Sequence, residues 1–181
     1  GGDGDLEFLK RVFHRLLLNF AWWVNRKDAD GHNIFDGGFL GLDNIGAFDR
    51  SAPLPDGWQL QQADATSWVA AFALKMMRIA LELSLHDPVY QDLAAKFFLH
   101  FLEIAAAMTS VANSGVGLWD EQSEFYFATL VDPKGEVHPL RIFSLVGLIP
   151  LLAVETIEPE MLDRLPEFKE TVERTLSEQP E

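Results

Sequence analysis

From Asp5 to about Arg26 the apolar residues Leu6, Leu9, Phe13, Leu16, Phe20 and Trp23 recur at steps of three and four, the spacing of one face of an α-helix. Phe8, Val12, Leu17 and Val24 fall away from that stripe, so this helix is apolar on two sides. Residues 28–60 then lose the period and fill with Gly, Asp, Asn and Pro, a connection far longer than helix pairs usually need. Phe35, Phe39, Leu40, Leu42, Ile45 and Phe48 run through it, which predicts an ordered, packed loop rather than a disordered one. A second helix is expected from Asp64, read as its N-cap, with Trp68, Phe72, Met76, Ile79 and Leu83 on one stripe and a stop at His86-Asp87-Pro88. A third follows with Val89, Leu93, Phe97, Phe101, Ile104 and Met108, ending near Ser110. Ala70, Ala71, Ala73, Ala94, Ala95 and the run 105–107 let neighbours approach closely, which suits helix-hairpin packing. Trp22, Trp68 and the phenylalanines at helical spacing read as core.

The pattern changes at residues 124–142. Phe125-Tyr126-Phe127 and Val137-His138-Pro139-Leu140 flank Asp132-Pro133-Lys134-Gly135, a turn signature between two β-prone runs, and predict a β-hairpin. Phe143 to about Val154 reads as a short buried helix containing Pro150, and Glu158-Pro159-Glu160 opens a last amphipathic helix bearing Met161, Leu165, Phe168 and Val172. No repeat of 20 to 50 residues is visible. The expected fold is mainly α, built of helix hairpins, with one short β-hairpin.

Charge narrows the partners. With Lys+Arg 14 against Asp+Glu 28, the net charge of -14 opposes binding to a phosphate backbone or an anionic membrane surface. No apolar run approaches the ~20 residues of a membrane helix. The absence of cysteine removes disulfides, thiolate nucleophiles and thiolate metal sites, and the five histidines are scattered. The 181 residues suffice for one domain. Gly1-Gly2-Asp3-Gly4 reads as a tag remnant or linker, leaving 5–181 as the folded part; without a secretory pattern at the start, the expected compartment is the cytoplasm.

Chemistry concentrates in the loop Gly37-Gly38-Phe39-Leu40-Gly41-Leu42-Asp43-Asn44-Ile45-Gly46-Ala47-Phe48-Asp49-Arg50. Its glycines allow tight turns or close approach to a ligand, while its apolar anchors would hold Asp43 in place. A carboxyl shielded by apolar neighbours keeps its proton to higher pH, as a general acid must. The plainer alternative is an aspartate that satisfies its own turn. Asp28-Ala29-Asp30-Gly31-His32-Asn33 begins like a calcium-binding EF-hand loop, but Asn33 and Phe39 stand where glycine and glutamate are required. A different calcium site from Asp28, Asp30 and Asp36 competes with solvated turn carboxylates. No metal and no cofactor is assigned.

Trp22-Trp23-Val24-Asn25-Arg26-Lys27-Asp28, the Gly-Leu-Asp-Asn loop, Gln61-Gln62-Ala63-Asp64, Gly117-Leu118-Trp119-Asp120-Glu121 and Val146-Gly147-Leu148-Ile149-Pro150 together resemble, in this order, the bacterial glucosidase-like proteins of glycoside hydrolase family 63. The resemblance covers most of residues 5–160. It implies a partial (α/α)6 toroid of hairpins within a hydrolase that cleaves α-glucosidic bonds with inversion, Asp43 being the general acid. The family's general base is a glutamate from a late inter-helix loop, expected outside these residues, so the isolated chain is expected to be inactive. A basic residue is expected where Phe143 stands, and a Tyr-Asp pair where Phe127-Ala128 stands. For an α-glucoside, Trp23, Trp119 and Tyr126 would offer flat aromatic faces, and Arg26, Asn44, Gln61, Asp64 and Asp120 would meet hydroxyls. The alternative is a non-catalytic helical module that binds sugar or another protein. The second apolar side of the first helix predicts self-association or a second chain that completes the toroid.

Overall fold

The computed structural model describes residues 4–25, 35, 54–109 and 117–178. Helix α1 (Leu6–Val24) begins at Asp5, whose side chain accepts the Phe8 backbone N–H at 2.8 Å. Its apolar stripe buries Phe13 and Phe20, while Leu6, Leu9, Leu16 and Trp23 pack at the margin of the core. Strand β1 (Gln59–Gln61) leads directly into α2 (Ala63–Ser84), and α3 (Tyr90–Thr109) returns antiparallel to it. The α2 N-cap is Gln62 with no side-chain cap bond, so the expected cap, Asp64, is instead the second residue of the first turn. There its carboxylate lies at the positive end of the helix dipole.

Aromatic contacts fix how the three long helices align. Phe13 meets Tyr90 and Phe97 edge-on at 5.6 and 6.1 Å, and Phe20 meets Phe97 at 5.1 Å and His100 at 5.7 Å, so α1 runs parallel to α3. Phe20 also meets Phe72, in the first half of α2, at 5.4 Å, and since α2 and α3 are antiparallel, α1 and α2 are antiparallel too. The ends of α1 and α3 and the start of α2 therefore share one end of the molecule. On α2, alanines at 63, 65, 70, 71, 73 and 80 are buried, which lets α1 and α3 close on it from two sides.

Beyond α3, the Leu118 N–H donates to the Met108 carbonyl at 2.9 Å and returns the chain to the same end. Strands β2 (Trp119–Asp120) and β3 (Phe125–Tyr126) pair antiparallel. Next, β4 (Thr129–Val131) pairs with β5 (Val137–Pro139) on one side and with β1 on the other, giving the order β1-β4-β5. The predicted turn is present: Asp132 Oδ1 accepts the Lys134 and Glu136 N–H groups at 2.8 and 2.9 Å, and Gly135 takes φ 84°. The strand entering that turn is 129–131 rather than 125–127, because Phe125-Tyr126 is taken up by β2. The expected single hairpin is thus two small sheets.

The segment expected to be a buried helix is a 3-10 helix, Leu145–Leu152. Three residues per turn stack its side chains in columns. Val146 and Ile149 form the buried column, at 6% and 3% exposure, whereas Leu145, Leu148 and Leu151 form an outward one at 65%, 44% and 72%. Gly147 sits so tightly against β3 that an added methyl would collide with the Phe125 ring and the Tyr126 carbonyl oxygen. A strap after it lies along α2 through Lys75–Glu155 (2.9 Å) and Arg78–Glu158 (3.0 Å). The last helix is broken in two, α4 (Pro159–Arg164) and α5 (Pro166–Glu178), since Pro166 pushes Leu165 out of helical geometry. Buried Phe168 ties α5 to α3 by contact with Phe98, and its N–H donates to Gln91 Oε1 at 3.4 Å. The described chain is mainly helical, with six helices including the 3-10 segment. No described helix is long and apolar enough to cross a membrane.

Candidate functional site

The end shared by the α1 and α3 C-termini and the α2 N-terminus collects most of the described candidates. Asp43, Arg26 and Asn44 lie outside the described residues, as do Asp28, Asp30 and Asp36. The others fall into three neighbouring groups.

In the first group, Trp119 and Tyr126 are cross-strand partners with ring centroids 4.8 Å apart, both half-buried. Burial pushes the Tyr126 hydroxyl above its usual pKa. Trp119 owes its position to this pairing. Asp120, beside it, has both oxygens engaged. Oδ1 accepts the Ser123 N–H at 2.8 Å, and Oδ2 accepts from Arg141 Nη2 and Nε at 2.9 and 3.1 Å. The Arg141 hydrogen bond, with that of the Ser123 backbone, holds the Asp120 carboxyl below the usual carboxylate range. Asp120 is therefore an anion at neutral pH and a poor proton donor.

The second group is the junction of β1 and α2. Gln61 is buried in β1 opposite Thr129, whose hydroxyl donates to Gln61 Oε1 at 2.9 Å. That leaves the amide NH2 of Gln61 as the part able to bond elsewhere. Asp64 is buried one turn on. Thr66 donates to the Gln62 carbonyl at 2.8 Å and accepts the N–H of buried Phe35 at 3.2 Å, pinning that residue of the long connection to the start of α2.

The third group is Trp23, half-buried near the end of α1 with its ring edge-on to Trp22 at 5.0 Å. It lines a cleft of about 550 Å³ with Asn19, Trp68, Phe72, Lys75 and Leu152. Trp22 and Trp68, read from the sequence as core, are both exposed.

No family model matches this chain. It is similar to the uncharacterized protein YMR196W of Saccharomyces cerevisiae, at 48% identity over 188 residues. That match takes in 98% of this chain and 17% of the relative, so the chain spans about one sixth of that protein's length.

Arg141 is the residue that sequence reasoning missed. It stands 21 positions from Asp120, and no motif spacing links the two. The basic residue expected at position 143 is replaced by Phe143, an exposed ring packed on Phe125 and Phe127 at 5.1 and 5.3 Å. Phe127 and Ala128 are buried. At the β4–β5 turn, Asp132, Glu136 and His138 bring ligand-type atoms within 4.8 Å of one another. Asp132 already serves there as the cap of its own turn, with His138 Nε2 at 3.6 Å, and the cluster is explained by that role.

Proposed function

We propose that this chain forms the sugar-facing end of an inverting glycoside hydrolase acting on α-glucosidic bonds, a partial (α/α)6 toroid of the family 63 kind, with Asp43 as proton donor to the glycosidic oxygen. The observation that supports it best is that the described motif residues Trp23, Gln61, Asp64, Trp119 and Tyr126 lie on or beside elements that share one end of the three long helices. A glucoside needs aromatic faces for its C–H surfaces and fixed polar groups for its hydroxyls. Trp119 and Tyr126 offer the first. Asp120, held as an anion by Arg141, accepts from hydroxyls, while the Gln61 amide donates. The chemistry then requires a carboxylate base about 6.5–9.5 Å from the acid, with room for water between them. A second reading, a sugar-binding module without catalysis, is favoured by one feature: Asp120, the described acid beside the aromatic pair, is ionised and engaged, and so has no proton to give.

Titration of the chain with α-linked glucose disaccharides, followed by tryptophan emission, separates these readings from a purely structural role. Saturable binding lost in Trp119→Ala supports a sugar site; no binding ends both readings. In the natural polypeptide that carries this segment, Asp43→Asn should lower turnover about 10²–10⁴-fold for poor leaving groups and much less for aryl glucosides that need no proton. Equal losses on both would remove Asp43 from the acid role.

A further inference from the structure

Nearly half of the exposed large apolar side chains among the described residues fall within 143–154, a stretch that carries no charge. Phe143 is 69% exposed even though its ring leans on Phe125 and Phe127. Leu145, Leu148 and Leu151 form the outward column of the 3-10 segment, and Val154, which follows it in the chain, is 66% exposed. None of these five side chains lines the cleft beside Trp23. The face they make is also fixed in place. Gly147 seats the segment on β3, Val146 and Ile149 anchor its inner column, and Lys75–Glu155 ties the strap that follows to α2. Together the five present several hundred Å², the range in which apolar patches on soluble proteins mark interaction sites.

We propose that this face is an internal interface of a longer polypeptide, the outward column packing against an uncharged apolar face supplied by chain outside these residues. Three observations select that occupant. The first is area: several hundred Å² falls short of the ~800 Å² per partner typical of stable complexes between separate proteins, but suits contacts between units of one chain, about 600–1,500 Å² with both sides counted. A covalent connection supplies the effective concentration that so small a contact needs. The second is length, since the match occupies 17% of the similar yeast polypeptide and leaves most of it to provide the cover. The third is charge. Arg141 and Glu155, which flank the segment, are engaged by Asp120 and Lys75. Contact here is therefore apolar rather than ionic, and the net charge of -14 opposes both a second copy of this chain and an anionic membrane surface. The inference does not depend on the carbohydrate reading.

The test is oxidative footprinting of the natural polypeptide that carries this segment, with labelling at each leucine normalised to the same polypeptide unfolded in urea. Leu145, Leu148 and Leu151 should be protected severalfold there and should label strongly in residues 1–181 alone. Leu148→Glu and Leu151→Glu, at exposed positions and so compatible with folding, should each lower the melting midpoint of the longer polypeptide by several degrees, in low and high salt alike. The same substitutions should leave the midpoint of residues 1–181 nearly unchanged. The proposal is overturned if the three leucines label in the longer polypeptide as they do in residues 1–181, if the substitutions lower both midpoints equally, or if high salt removes the difference. It is overturned too if protection appears only as protein concentration rises, which assigns the face to a second copy, or only on adding vesicles of phosphatidylcholine and phosphatidylserine, which assigns it to a membrane.

Discussion

Helix α2 carries four charged residues in its 22, while residues 143–154 carry none in twelve, yet α2 is the buried element and the uncharged segment holds much of the exposed apolar surface. The reason lies in neighbours rather than hydropathy. Helix α2 is enclosed by α1, α3 and the 3-10 segment, and its alanines let the first two come close. Of its charges, Lys75 and Arg78 sit at the edge and reach Glu155 and Glu158, while Asp64 is buried in the first turn. The 3-10 segment is the outermost layer: one column of side chains faces α2, and the column at 145, 148 and 151 faces away. An apolar side chain favours burial, but only geometry decides whether a partner is present to bury it.

The sharpest way to break this contrast is to truncate a leucine on each side of it. Leu81→Ala, at a fully buried position of α2, should destabilise the fold by about 3–4 kcal/mol in urea unfolding. A loss under ~1 kcal/mol would mean that the α2 core is loosely packed and the comparison fails. Gly147→Ala should cost about 1–3 kcal/mol, because the added methyl has no room against Phe125 and Tyr126 and the 3-10 segment must shift; an unchanged midpoint would show that the segment is not seated on β3. A smaller effect is expected from acid. The Asp120 carboxyl is depressed chiefly by its Arg141 hydrogen bond, so its stabilising contribution is present above the usual aspartate pKa and is lost as pH falls through the depressed folded value. Melting temperature followed from neutral pH down to the acid range should therefore fall less steeply in Asp120→Asn than in the parent; identical slopes would remove the ion pair from the account. The least effect belongs to Leu151→Ala, at 72% exposure, expected within about 0.5 kcal/mol of the parent. A cost as large as that of Leu81→Ala would place the outward column in a core after all.

The long helices were legible because nineteen or more residues carry a 3.6 period many times over, and Phe13, Phe20, Phe97 and Ile104 are buried on the faces that period marks. The 3-10 segment was not, since over eight residues periods of 3.0 and 3.6 barely separate. Only the columns in the folded chain distinguish Leu148 from Ile149. The break at Leu165-Pro166 follows the rule that a residue before proline leaves helical geometry, and the apolar spacing across it hid that rule. The Asp132–Gly135 turn was readable from local chemistry, whereas the strand entering it was not, because two- and three-residue strands carry no period. At the site, Trp119 and Tyr126 could be named as aromatics, but their pairing is a register fact. The Asp120–Arg141 bond joins residues that only the fold brings together, and Gln61 reads as a polar residue before a helix until β1 turns it toward Thr129.

The alignment of the three long helices also determines a field. Each helix end carries roughly half an elementary charge, positive at the N-terminus and negative at the C-terminus. The end where the candidate residues gather has two C-termini, of α1 and α3, and neither helix has a basic residue in its last turn to offset it. Among the described α-helices one N-terminus lies there, that of α2, and it is countered by Asp64 within its first turn. The backbone alone therefore makes that end electronegative. A neutral or cationic ligand therefore arrives there more readily than an anionic one.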